Sequence, residues 1–156
     1  MNVDEYIRSE VERQYSTKFD EFEKAYEYAL TTSRYWGEVN LSMFLQNLAR
    51  KCEPDLNKWR VNFTNLRLSE VGFVNGGKAT RAVEVPQQFE RLIGLYRYTY
   101  STHDIDIWVK SLLEIHPWAD GNGRTASIFR NWAMGTLDDP SPLPYYFQER
   151  HELSSD

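Results

Sequence analysis

The strongest constraint on this chain is a nine-residue interruption between two helical patterns, HPWADGNGR at residues 116–124. Upstream of it, Ile105, Ile107, Trp108, Leu112, Leu113 and Ile115 describe a helix that is apolar over much of its circumference, which predicts a central, buried position. Ser101 and Asp104 form an S-x-x-D pattern, a relative of the capping box, at its start. The residue before a proline disfavours the α region, so His116-Pro117 ends this helix. Downstream, RTASIFRNWAM predicts another helix, stopped by Gly135. The interruption is therefore a connection between two helices.

The rest of the chain is read from its periodicity. Val3, Tyr6, Ile7, Val11, Tyr15, Phe19, Phe22, Tyr26, Ala29 and Leu30 recur in steps of three and four, the spacing of an amphipathic helix. The stretch STKFD at 16–20 divides it, with Ser16 or Thr17 as the second N-cap. NLSMFLQNLARK at 40–51 predicts a further helix, capped by Asn40 or Ser42 and ended at Glu53-Pro54. Residues 59–68 read as loop with a short helix. Over 70–86, Val71, Phe73, Val83 and Val85 alternate on either side of an NGG, which predicts a β-hairpin with a wide turn. Pro86 then suits the first turn of a helix carrying Phe89, Leu92, Ile93, Tyr96 and Tyr100 on one face. The last residues, with prolines at 140, 142 and 144, read as loop. The expected fold class is all-α, with one projecting β-hairpin.

A length of 156 residues suits one domain. The formal charge of −5 supplies no broad basic field, so neither nucleic acid nor an anionic membrane is expected as a partner. One cysteine, Cys52, excludes an internal disulfide and predicts a reducing compartment. The first residues are charged and resemble no secretory signal, and no apolar run approaches the roughly 20 residues of a membrane span. These features predict a cytoplasmic protein.

The residue types in the loop point to phosphate chemistry. Gly121 and Gly123 permit positive φ and close backbone approach, and successive N–H groups there form an anion nest at the positive end of the next helix. Arg124, in the first helical turn, adds a guanidinium suited to phosphate. Asp120 is a hard oxygen ligand of the kind Mg²⁺ accepts beside phosphates. Asn122 can donate without adding charge. His116 brings an imidazole, the side chain most often used as a general base, and stands where it can take a proton from an attacking hydroxyl. A turn alone needs the glycines but not the other four.

The stretch HPWADGNGRTAS resembles the signature of the Fic/Doc family, H-x-F-x-D/E-G-N-G-R-x-x-R, through His116, Trp118 in the aromatic position, Asp120, Gly121, Asn122, Gly123 and Arg124. The resemblance implies a Fic-type helical core at about 25–147, preceded by a helical extension at 1–24 and followed by a polar tail at 148–156. It implies transfer of a phosphate-containing group, most often AMP from ATP (AMPylation), to a Tyr, Thr or Ser hydroxyl of a target protein. His116 is then the general base, Asp120 the Mg²⁺ ligand, Gly121, Asn122 and Gly123 the anion hole, and Arg124 a phosphate contact, while Trp118 packs inward and fixes the loop. The hairpin becomes a flap that docks target backbone by strand addition, with Val71, Phe73 and Val74 as clamping residues.

Ser127 stands where the pattern has its final arginine. That departure leaves the donor open: ATP, another nucleoside triphosphate, or CDP-choline. It also leaves open a non-catalytic module that binds nucleotide or a partner. Arg130 lies one turn beyond Ser127 and about 60° around the helix, aimed elsewhere; Lys78 and Arg81 are the other candidate replacements. The family's inhibitory motif, S/T-x-x-x-E-G/N, has no match, the nearest stretch running from Thr17 to Glu21 and continuing with Phe22. Regulation by a separate antitoxin-like protein stays open, and a toxin role is what the family analogy suggests.

Overall fold

The computed structural model describes residues 1–34, 40–55 and 77–144. Within them lie six α-helices: α1 (Val3–Arg13), α2 (Phe19–Leu30), α3 (Leu41–Cys52), α4 (Val85–Leu95), α5 (Thr102–Ile115) and α6 (Asn122–Met134). Short 3-10 turns at Ala82–Glu84 and Tyr96–Tyr98 flank α4. Among the described residues, extended pairing is limited to single bridge positions at Lys78 and Trp118. None of the described helices is long and apolar enough to cross a membrane.

Three helix starts follow the capping chemistry of the sequence. Side-chain oxygens accept from N–H groups that the first helical turn leaves without an intrahelical partner. Asn2 accepts from the Glu5 N–H at 2.8 Å, Asn40 from Met43 at 3.1 Å and Ser101 from Asp104 at 3.1 Å. Asp104 reaches back to the Tyr100 N–H at 2.9 Å, closing a box one residue wider than the usual pattern. The break between α1 and α2 falls where expected, but its chemistry differs. Tyr15 takes a left-handed φ of 58°, Ser16 accepts from the Lys18 N–H within the turn, and Lys18, in the N-cap position before α2, makes no side-chain capping bond. Neither Ser16 nor Thr17 caps α2.

The helices share one core among the described residues, and α6 runs through its middle. Helices α2, α3 and α5 pack against it, α4 packs on α5, and α1 on α2. This corrects the expectation that α5 is the central helix. Helix α5 buries Ile105, Trp108, Val109, Leu112, Leu113 and Ile115 but leaves Ile107 half exposed, whereas α6 is enclosed nearly all round despite Thr125, Ser127 and Asn131. Hydrogen bonds inside the core make those polar groups tolerable, so mean hydropathy misranks the two helices. Phe44, Trp108, Phe129 and Trp132 form a tilted aromatic cluster with centroids 4.4–6.4 Å apart. The indole N–H groups meet backbone carbonyls, Trp108 donating to Leu92 at 2.8 Å and Trp132 to Thr32 at 2.9 Å. Phe129 is sealed from solvent, and its truncation to Ala would cost about 3–5 kcal/mol. The N-terminal extension, 1–24, joins the same core through Tyr6, Val11 and Phe22.

The hairpin expected over 70–86 fails in its second half. Val83 lies in a 3-10 turn with its side chain exposed, and Val85 is the first residue of α4, fully buried. Alternation of apolar residues there reflects a turn entering a helix, with Pro86 in the first turn as expected. The Thr80 N–H donates to the Glu114 carbonyl at 3.0 Å, tying this segment to the end of α5. Val71, Phe73 and Val74, the polar tail at 148–156 and the segment 59–68 lie outside the described residues.

Candidate functional site

The loop between α5 and α6 is built from the backbone outward. His116 closes α5 in a left-handed conformation, φ 52° and ψ 63°, its N–H donating to the Leu112 carbonyl at 2.9 Å. Few residues other than glycine adopt that region, histidine among the more tolerant of them, so the surroundings hold it there. Its side chain is buried, as is Trp118, whose ring meets Phe89 edge-on at 5.9 Å. Trp118 thus packs inward. Asn122 closes the loop by a two-point clamp: its Oδ1 accepts from the Trp118 N–H at 3.0 Å, and its Nδ2 donates to the Trp118 carbonyl at 2.8 Å. The Asn122 amide is therefore engaged in shaping the loop. Gly121, at φ 81°, turns the chain into α6 without any side-chain cap, which leaves the α6 N-terminus to backbone groups.

Asp120 is half exposed, and its Oδ1 accepts from the Gly121 N–H at 2.7 Å. The same oxygen stands 3.5 Å from Arg124 Nη2. Arg124 is almost fully buried. It donates through Nη1 to the Cys52 carbonyl at 3.1 Å and through Nη2 to Glu53 Oε1 at 2.9 Å. The other Glu53 oxygen binds the Lys18 ammonium, which also lies 3.7 Å from Asp55. Glu53 hydrogen-bonds that ammonium and raises the Lys18 pKa, so Lys18 is fully charged. In this arrangement the Arg124 charge is already balanced by a carboxylate.

The position of the missing arginine is equally specific. Ser127 is fully buried, 2.5 Å from the Tyr6 hydroxyl and hydrogen-bonded to Glu10. Glu10, itself buried, also accepts from the Leu143 N–H at 2.7 Å and from Arg13 Nε at 2.7 Å. Burial, with the Glu10 carboxylate second, raises the Tyr6 phenol well above its usual value. Position 127 is thus walled in by α1. Arg130 is held by Asp106 at 2.6 Å and Ser141 at 3.0 Å, away from the loop as expected. Lys78 and Arg81 are exposed on the segment before α4.

Three residues at the site escaped the sequence reading. Gln14 lies over Gly123 so closely that its Oε1 occupies the space a Cβ would take. Lys18 and Glu53 were visible only as parts of a helix break and a helix stop. Nothing local in the sequence brings them to the loop, because both are carried there by the packing of α2 and α3 around α6. Cys52, beside them, is sealed, and burial pushes its thiol up to about 11.

Among the described residues no group of three or more His, Cys, Asp or Glu side chains is arranged to hold a metal ion by itself. A single carboxylate such as Asp120 is nevertheless the protein share that Mg²⁺ takes when it arrives bound to phosphates. Searches of protein-family models and of curated proteins find no match to this chain. The likeness to Fic proteins therefore rests on the residues of the loop themselves.

Proposed function

We propose that this chain is a Fic-type transferase that moves a phosphate-containing group, AMP from ATP as the first choice of donor, to a Tyr, Thr or Ser hydroxyl of a target protein. The observation that carries this reading is the loop itself: a histidine closing one buried helix and an arginine in the first turn of the next, with a carboxylate and two glycines between them. In this reading the phosphates lie against the N-terminal backbone of α6, where Gly121 and Gly123 allow close approach. His116 takes the proton of the target hydroxyl. The hydroxyl oxygen bonds to the α-phosphorus, and the bond from that phosphorus to the oxygen bridging the α- and β-phosphates breaks, that oxygen leaving with the electron pair as a terminal oxygen of pyrophosphate. Asp120 holds Mg²⁺, which supplies charge neutralisation for the phosphates. Asn122 acts on the loop's shape through Trp118.

Intact-mass measurement after incubation with Mg²⁺ and, in turn, ATP, GTP, UTP, CTP and CDP-choline tests this reading on the protein itself as acceptor and with added lysate protein. A gain of one nucleoside monophosphate, absent in a His116 variant, supports it and names the donor. A gain of phosphocholine supports transfer with the other donor class.

A second reading, a nucleotide- or partner-binding module without transfer, is favoured by the pairing of Arg124 with Glu53 and by the enclosure of Ser127. Nucleotide binding with no mass gain from any donor supports it.

A further inference from the structure

We infer that Asn122–Gly123 is a latent self-modification site: when the loop opens, Asn122 cyclises onto the Gly123 backbone nitrogen and becomes aspartate or isoaspartate, a reaction that the closed loop holds off. It needs only the chain and water, and it does not depend on the transferase reading.

The reactivity belongs to the dipeptide. Gly123 carries no Cβ beside its nitrogen, so attack from that atom is unhindered. The Gly123 nitrogen gives its proton to hydroxide and bonds to Asn122 Cγ. The bond from Cγ to Nδ2 breaks, and that nitrogen takes a proton and leaves as ammonia. A five-membered imide remains. Water opens it, at Cγ to give aspartate or at the main-chain carbonyl to give isoaspartate. In sum, one amide and one water become one carboxylate and one ammonium. The isoaspartate product routes the main chain through the side chain of residue 122 and lengthens it by a methylene.

Three features of the closed loop oppose the first step. The Asn122 amide is held at both ends, Oδ1 accepting from the Trp118 N–H at 3.0 Å and Nδ2 donating to the Trp118 carbonyl at 2.8 Å. Both bonds must break before Cγ turns toward Gly123. Asn122 is also the first residue of α6 and Gly123 the second, so ring closure unwinds that turn. Finally, Asn122 is only 2% exposed and Gln14 lies over Gly123, which shuts out hydroxide. The clamp's partner is itself fixed, since the buried Trp118 ring packs on Phe89. The reaction therefore starts from the opened loop, and its rate follows the population of that state.

The product does not restore the loop. A carboxylate at position 122 still accepts from the Trp118 N–H but has no proton to donate to the Trp118 carbonyl. It also places a charge at a buried position, two residues from Asp120.

The test is peptide mapping by mass spectrometry, which reads the replacement of an amide NH₂ by OH at position 122. The whole chain is incubated in mildly alkaline buffer beside a synthetic peptide of residues 117–127. The folded chain is expected to convert at least about 100-fold more slowly than the peptide, an opening free energy of about 2.7 kcal/mol or more. Phe89→Leu removes the ring packed on Trp118 and leaves the loop's own residues in place. It is expected to speed conversion about tenfold in a chain that circular dichroism shows to be folded. Should that variant be unfolded at the incubation temperature, the parent in urea below its unfolding midpoint replaces it, with the same expectation. Conversion of the folded chain as fast as the peptide, or no acceleration when the loop is loosened, overturns the inference. A peptide that stays intact overturns it as well.

Discussion

The hydroxyls of Tyr6 and Ser127 stand 2.5 Å apart in the core although 121 residues separate them in the chain. Ser127 also hydrogen-bonds to Glu10, which is neutralised by Arg13 at 2.6 Å. The residue occupying the place of the pattern's final arginine is thus a structural partner of α1. Restoring the pattern by Ser127→Arg is expected to force an oversized charged side chain into a packed site and to lower stability by about 3 kcal/mol or more. Ser127→Ala, which removes only the hydroxyl, should cost about 1–2 kcal/mol. Urea midpoints of both variants check the order.

His116 combines a left-handed backbone with a buried ring. His116→Asn keeps a residue that tolerates the backbone, and its stability should stay within about 1 kcal/mol of the parent. His116→Val, β-branched, should lose about 2 kcal/mol or more. If the histidine is the general base, His116→Asn lowers transfer at least about 100-fold while its melt is nearly unchanged. Mass-based transfer assays and thermal melts on the same samples check this.

The two loop glycines should respond differently to alanine. Gly121 has φ 81°, and a Cβ there would press on the Glu53 Cβ at 3.2 Å. Gly121→Ala is expected to cost about 1–2 kcal/mol. At Gly123 the neighbour is the end of a flexible side chain, Gln14, which can swing aside. Gly123→Ala should therefore change stability by no more than about 0.5 kcal/mol, and by nothing further in a Gln14→Ala background. Urea melts of Gly121→Ala, Gly123→Ala, Gln14→Ala and the Gln14→Ala/Gly123→Ala double variant measure the contrast.

Alkaline pH should weaken the fold through Cys52. Burial raises its thiol from the ordinary 9.0 to about 11. Below pH 9 both folded and unfolded chains hold the proton, so this stability is fully present. Above it the unfolded chain ionises first, and stability falls until the pH passes about 11, by roughly 2–3 kcal/mol in all. Urea midpoints at pH 8 and pH 10.5 should show the loss, and Cys52→Ala, whatever its cost at pH 8, should lose less between the two. Tyr6, raised in the same direction, adds to the fall at the upper end.

Much of the local structure was legible in the chain. Asn40 and Ser101 cap the helices they were expected to cap, Pro86 stands in the first turn of α4, and Gly135 ends α6 in a left-handed conformation. These depend on a few adjacent residues, whose conformational preferences survive in any tertiary setting. The hairpin did not survive in its second half, since apolar alternation over Val83 and Val85 fits a turn entering a helix as well as a strand. The centrality of α6 was hidden too, because Ser127 and Asn131 read as polar until their buried partners are known.

At the site, the sequence by itself determined which groups stand in the loop, since His116, Asp120, the glycines and Arg124 are neighbours along the chain. What each of them faces was decided only by tertiary packing. Helices α2 and α3 carry Lys18 and Glu53 to Arg124, and α1 carries Tyr6 and Glu10 to Ser127. Charge balance and burial are set by whatever lies within a few ångströms in space. For Arg124 those neighbours are Cys52 and Glu53, brought from more than seventy residues upstream.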